Sequence, residues 1–218
     1  MKAQPRTALV TIVIDLRSGL YLALAVLPLH AVAALSAWTA DPAVERRLAA
    51  GEVVVQTAAA IDPERPSGRV RAAVRIKAPA ETIWRIMTDC RQALLFVPAL
   101  KGCRRIAAAP DGRWEDIEQE VRYSWLLPTI RYVLRFDYDR PQRIDFRRVS
   151  GDLRDEQGSW LLTQAADGSA TLVEYDVYVD PGFWIPQVLV VRSLRKDLPA
   201  ALKGLEDRAE GAGGHSAH

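Results

Sequence analysis

The stretch RIKAPAETIWRIMTDC, residues 75–90, changes its hydrophobic period half-way along. Leading into it, Val70, Ala72, Val74 and Ile76 alternate with Arg69, Arg71 and Arg75, and Lys77 continues the polar side. That alternation predicts a strand with one dry face. Pro79 then suits the first position of a helix, and Glu81 suits its positive end. Ala80, Ile83, Trp84 and Met87 follow at helical spacing. A half-buried strand therefore feeds directly into a helix that carries a Trp on its inner face.

Working outward, Asp41-Pro42 reads as a helix cap and first residue, and Gly51 as the terminator of a short helix over 41–50. EVVVQTAAAI, residues 52–61, alternates weakly as a further strand. On the other side, residues 90–102 predict a short helix or apolar loop and CRRIAAA a strand. Clear alternation then begins. Ile117, Gln119, Val121, Tyr123 and Trp125 share one face, opposite Asp116, Glu118, Glu120 and Arg122. Tyr132, Leu134, Phe136 and Tyr138, then Ile144 and Phe146, then Trp160 and Leu162, then Thr171, Val173, Tyr175, Val177 and Val179 repeat the pattern. The turns LPT, RPQ, GDLRDEQG and ADGS are too short for crossover helices, so the strands form an antiparallel meander with one solvated face. Last comes a long amphipathic pattern over 186–210, with Val191, Leu194, Leu198, Leu202, Leu205 and Ala209 on one stripe and a kink expected at Pro199. Residues 211–218 read as a flexible tail.

This order implies an α+β fold: a curved antiparallel sheet of about seven strands wrapped around a long C-terminal helix. The chain resembles the SRPBCC/START-like helix-grip superfamily, which includes START domains, polyketide cyclases, Bet v 1-like proteins and the coenzyme Q-binding Coq10-type group. The resemblance is carried by VRAAVRIKAPAETIWRIMTD (70–89), FVPAL (96–100), GSWLLT (158–163), LVEYDVYVDPG (172–182) and the Leu198-Pro199 pair. It covers residues 51–210 as one START-like domain. It implies a lipophilic cavity and a ligand of the lipid, quinone, sterol or polyketide kind. Residues 52–61 fall outside the superfamily's minimal pattern.

The 218 residues are 49% hydrophobic and 26% charged, enough for one domain with a sizeable core. With 29 basic against 27 acidic residues the net charge is only +2, and no basic cluster marks a nucleic-acid footprint. Residues 1–40 stand apart. Lys2, Arg6 and Arg17 precede GLYLALAVLPLHAVAALSA, which reads as a secretory signal with cleavage sites near Ala33 and Ser36. The rival reading is a membrane anchor, since no residue from Ser18 to Ala40 is charged. Either way the domain is expected to be exported, periplasmic or anchored facing the periplasm. In that oxidising space Cys90 and Cys103 are candidates for a disulfide, with two small buried hydrophobes as the alternative.

Catalytic motifs are missing. The three histidines, His30, His215 and His218, all lie outside the domain, which removes the usual Ser-His and Cys-His arrangements and His metal sites. No phosphate loop, HExxH or CxxC occurs, so neither cofactor nor metal is expected. The acids of 115–120, and Glu174 with Asp176, read as solvated strand faces. Arg131, Arg135, Arg143, Arg147 and Arg148 read as an outer face paired with acids, or as a surface for anionic headgroups.

The candidate ligand-binding set is Phe96, Tyr123, Trp125, Tyr132, Phe136, Phe146, Trp160, Tyr175, Trp184, Leu194 and Leu198, where aromatic rings offer apolar area and polar tips. Two apolar loop tips, Trp125–Pro128 and Phe183–Pro186, are expected at one end of the sheet as a ligand mouth or membrane rim. The favoured function is an exported carrier or sensor of a hydrophobic small molecule. The alternative is a cyclase or aromatase. That enzyme needs a polar group in the cavity, and the inward parity supplies only Gln119, Gln164 and tyrosine hydroxyls. A buried Asp, Glu or Arg with a shifted pKa in the cavity would put the enzyme first.

Overall fold

A computed structural model of the chain describes residues 37–57, 67–122, 128–185 and 193–214, all within one compact unit, 33–218. Residues 1–36, which hold nearly all of the expected targeting segment, lie outside the described residues. Helix α1 spans Pro42–Ala49, followed by strands β1 (Val54–Thr57) and β2 (Gly68–Ile76), then helices α2 (Ala80–Met87) and α3 (Cys90–Phe96). Six strands follow: β3 (Leu100–Ala108), β4 (Trp114–Val121), β5 (Ile130–Asp139), β6 (Arg143–Gly151), β7 (Asp155–Gln164) and β8 (Thr171–Asp180). A π-helical turn over Ser193–Asp197 leads into α4 (Leu198–Gly214).

The strands make one antiparallel sheet of eight, in the order β1-β2-β8-β7-β6-β5-β4-β3. The expected seven become eight because β1, weakly patterned and only four residues long, pairs with β2 from Val54↔Ala73 to Thr57↔Val70. The strand-to-helix junction behaves as its period dictates. Ala72, Val74 and Ile76 point inward, Pro79 stands just before the first helical residue Ala80 rather than at the first position itself, and Ile83 and Trp84 are buried on the inner face of α2. Gln164, expected inside, instead caps that helix, its Oε1 accepting from the Ala80 N–H at 3.0 Å.

On the concave side the buried side chains fall in two groups. Val74, Ile76, Ile83, Leu162 and Val173 pack with Leu202, Leu205 and Ala209 of α4. Val121, Ile130, Leu134, Phe146, Leu153 and Val177 pack further along the sheet. Leu198, Leu202, Leu205 and Ala209 of the predicted stripe thus face the core, with Val191 and the side chain of Leu194 outside the described residues.

Four expectations need correction. The convex face is not wholly solvated: Val44 and Leu48 of α1 cover Val54, Ala73 and Leu172 in a small outer core. Beneath this cover Glu174 is buried and its Oε1 accepts from the Thr39 hydroxyl at 2.9 Å. Asp116 is also buried, gripped by Arg135 through bonds of 2.7 and 2.8 Å while that guanidinium lies 4.0 Å over the Trp114 ring. Residues 150–157 are not one loop, since β6 runs to Gly151 and β7 starts at Asp155. The terminal helix continues to Gly214, so four residues of the expected tail are helical. The bend expected at Pro199 appears as the π-helical turn just before it. Proline has no N–H for the Arg195 carbonyl, and its ring crowds that oxygen, so the helix widens.

Candidate ligand cavity

Between the two packed groups lies a cavity of about 410 Å³, within the range of small-molecule sites. Its floor is the inner face of β4 to β8. Its cover is α4, entering through Leu198, Ala201, Leu202 and Leu205. One wall is α3 with the segment after it, through Ala93, Phe96, Val97 and Pro98.

That wall has little burial of its own, for no residue of α3 is fully buried. Its attachments hold it, among them the Arg208 guanidinium of α4, which donates to the Gln92 amide oxygen at 3.1 Å. The Asp89 carboxylate accepts from the Arg91 N–H at 2.8 Å and caps the helix. Phe96 lies on Gly204 of α4, where a Cβ would come within 2.8 Å of the Phe96 Cβ. A disulfide joins Cys90 to Cys103 of β3 across a Cα separation of 5.3 Å. Both cysteines line the cavity.

The floor is built on an aromatic run. Phe136 lies beside Phe146 (5.8 Å between ring centres), Phe146 beside Tyr175 (6.0 Å) and Tyr175 on Trp160 (4.1 Å). Gly158 makes this possible. A Cβ there would sit 2.7 Å from Phe146 Cζ and would collide with the Asp176 carbonyl oxygen.

Of the sequence-predicted set, Phe96, Tyr132, Phe136, Phe146, Trp160, Tyr175 and Leu198 come together on the lining. Tyr123 and Trp125 lie outside the described residues, as does the side chain of Leu194. Trp184 does not line the cavity. It is 70% exposed, while its neighbours divide the inward role: Phe183 packs on the floor group and Ile185 lines the cavity. The tip predicted at Trp125–Pro128 is described only at Pro128, which is exposed. Trp84 is buried against the ring of Tyr138, edge to face at 5.5 Å, and supports the floor from outside the lining. Burial, then the neighbouring Glu115 carboxylate, push the Tyr138 hydroxyl's pKa up, and that hydroxyl donates to Glu115 Oε2 at 3.2 Å.

The residue that pattern reading misses is Glu156. It is only 8% exposed, lines the cavity, and has no hydrogen-bond partner among the described residues. Its position follows from the strand pairing. The β6–β7 ladder ends at Arg147↔Gln157, so Asp155 and Glu156 pair with β8 alone, at a fork in the sheet. The buried Leu153 fills the turn between the separating strands. Burial, then the nearby Asp155 charge, push the Glu156 carboxyl up to about 8. Counting back by twos from Trp160 through Gly158 reaches Glu156, and this parity is the available signal. The turn-like composition of DEQG hides it.

Of the five arginines read as an outer face, four meet acids: Arg131 Glu120, Arg135 Asp116, Arg143 Asp145 and Arg147 Asp137. Arg148 departs from that reading: a bulge sets it opposite the inward Leu134, one Nη donates to the Gly151 carbonyl, and its Nε is buried with no hydrogen-bond partner among the described residues. Among the described lining residues there is no Lys, Arg or His.

A family model described as polyketide cyclase/dehydrase and lipid transport matches residues 76–206. The chain belongs to this family. Among solved structures, similar folds include a STAR-related lipid transfer protein from Xanthomonas axonopodis, 17% identical over 72% of this chain and 93% of that one, TM-score 0.61. Human STARD10 is 15% identical over 75% and 71%, TM-score 0.60. The Zhui aromatase/cyclase from Streptomyces sp. R1128 is 16% identical over 66% and 94%, TM-score 0.55. At these identities the likeness establishes the START-like helix-grip fold. None of the curated proteins compared matches the sequence. The polyketide cyclase and lipid-transport match begins at Ile76, so the outer core built by α1 and β1 lies outside the matched segment.

Proposed function

We propose that this chain is an exported binding protein that carries or senses a hydrophobic small molecule, of lipid, quinone or polyketide-like chemistry, inside its cavity. The observation that carries this reading is the cavity itself: about 410 Å³, floored by four contacting aromatic rings and covered by leucines of α4. Burying a ligand there is driven by about 25 cal/mol per Å² of apolar surface, less the cost of ordering it. Export is supported by the basic-then-apolar start of the sequence and by the Cys90–Cys103 pairing. Exposed Trp184 and Leu95 support a docking role for the protein's apolar rim against a membrane surface.

A second reading, a cyclase or aromatase, is favoured by Glu156, the buried and shifted carboxyl that such an enzyme requires. Proton transfer on a polyketide-like chain also needs a group to hold the developing oxyanion. No Arg, Lys or His among the described lining residues offers one and the Tyr138 hydroxyl is directed to Glu115, so that role would fall to Gln119, Tyr132 or Tyr175. Glu156 thus meets the condition set for the enzyme, yet we keep binding first because the cavity is walled chiefly by aromatic and aliphatic side chains.

The test is native mass spectrometry with lipid extraction on the chain purified from its own kind of host. A co-purifying apolar molecule near one-to-one is expected. Bare protein that also fails to take up a fluorescent lipid would overturn the cavity reading. Turnover of a cyclisable polyketide mimic, lost in Glu156→Gln, would move the enzyme ahead.

A further inference from the structure

An unpaired carboxyl inside an apolar cavity has to be explained. Burying a polar group without a partner is unfavourable by roughly 1–3 kcal/mol in proteins. Such a group persists where something else gains from it. Glu156 is not a general surface acid that happens to be covered. It is held at the fork between β6 and β7, with Leu153 packed in the turn beside it. Its side chain points to the same side of β7 as Gly158 and Trp160.

What surrounds it sets the sign of the partner. The next inward position along β7 is Gly158, over which the Phe146 ring lies, and the one after is Trp160, stacked on Tyr175. Successive inward positions are about 7 Å apart on a strand. The carboxyl thus stands at one end of a row of π-faces, which attract cations. Asp155 precedes it and accepts from the Gln157 amide at 3.3 Å, while Asp180 on the next strand is paired with Arg154 at 3.3 Å, so the Arg154 cation at this end of β7 is already engaged. Among the described residues no cation lines the cavity, and the second lining acid, Asp197, has an interaction of its own. An anionic head group would find no donor cation, only the single proton of a neutral Glu156. A neutral hydroxyl would satisfy one oxygen at most. An ammonium group would satisfy the carboxyl, lie against the aromatic row and restore charge balance.

We propose that Glu156 is a head-group site and that the ligand selected by this cavity is an apolar molecule bearing an amine, its ammonium paired with the Glu156 carboxylate and its apolar body lying along Phe146, Tyr175 and Trp160. This rests on the binding reading above. The shifted carboxyl agrees with it: the group is held largely neutral while the cavity is empty and becomes charged when a cation arrives.

The experiment is displacement of the neutral apolar probe N-phenyl-1-naphthylamine from the full chain at neutral pH by dodecylamine, dodecanol and dodecanoate, which share one chain and differ in head group. The amine is expected to bind about tenfold tighter than the alcohol, and the carboxylate weakest. In Glu156→Gln the ratio of amine to alcohol affinity should fall to about one, with thermal unfolding showing that the variant is folded. Equal binding of amine and alcohol by the wild-type chain, or an amine preference that survives in Glu156→Gln, overturns this assignment and leaves the cavity reading standing. Failure of the probe and all three compounds to bind overturns the cavity reading and this inference with it.

Discussion

At the scale of single residues, two buried acids pull stability in opposite directions with pH. The Glu156 carboxyl titrates near 8 in the folded chain against about 4.5 when unfolded. The folded state therefore holds a proton that the unfolded state releases, and stability falls as pH rises from about 4.5 to about 8. A tenfold change in proton affinity is worth about 1.36 kcal/mol, so the loss reaches about 3 kcal/mol at pH 7. Glu156→Gln should flatten that slope and stabilise the protein at pH 7, read as a denaturant midpoint followed across pH. Asp116 has the reverse sign. The Arg135 guanidinium holds its carboxyl below the ordinary value, so its contribution is present at neutral pH and lost on acidification. Gly158→Ala belongs to the same scale. Its methyl would meet Phe146 and the Asp176 carbonyl oxygen, which should lower stability by about 1–3 kcal/mol and disturb the near-ultraviolet dichroism of the aromatic row.

Among the elements, the ones with a strong period are readable from sequence and the ones placed by tertiary contacts are not. Residues 70–87 declare a strand and a helix by themselves, and the β4, β5 and β8 alternations give the inward sets directly. Phe136, Phe146, Trp160 and Tyr175 can be placed on the floor for that reason. Glu156 cannot, because a charged residue beside Asp155 in a Gly-flanked stretch looks like a turn, and only the fork in the sheet turns it inward. Trp184 fails for a related reason: Gly182, at φ 75°, resets the chain direction after β8, so parity does not carry past it. Helix α3 is ambiguous in sequence and is held largely by its attachments. Replacing Cys90 and Cys103 with Ser should destabilise the chain by about 3 kcal/mol, the value for a closed loop of this size. Amide hydrogen exchange should show the loss of protection concentrated in residues 90–103.

For the whole molecule, the two layers on opposite faces of the sheet have different tasks. The inner layer, under α4, encloses the cavity; the outer layer, under α1, closes the convex side over Ala73 and Leu172. Trimming the chain to the matched segment from Ile76 would remove α1, β1 and nearly all of β2, leaving an edge of β8 unpaired. Removing only residues 1–51 should leave the sheet order intact but uncover Glu174 and the outer core. The expected result is a lower unfolding temperature with ligand binding retained, measured by calorimetry with and without N-phenyl-1-naphthylamine.

The strand order has a consequence for how the chain finds its fold. Every neighbouring pair in the sheet is consecutive along the chain except β2 and β8, whose facing residues Arg71 and Asp176 are 105 positions apart. The meander from β3 to β8 can zip as successive hairpins, each closing a short loop. Only the β2–β8 ladder must gather distant parts of the chain, and that search carries the loop-closure entropy of the whole topology. The refolding rate should accordingly be governed by one seam. Val74→Ala, on that seam, should slow refolding more, for the stability it loses, than Leu134→Ala within the meander, as stopped-flow measurements of the two variants would reveal.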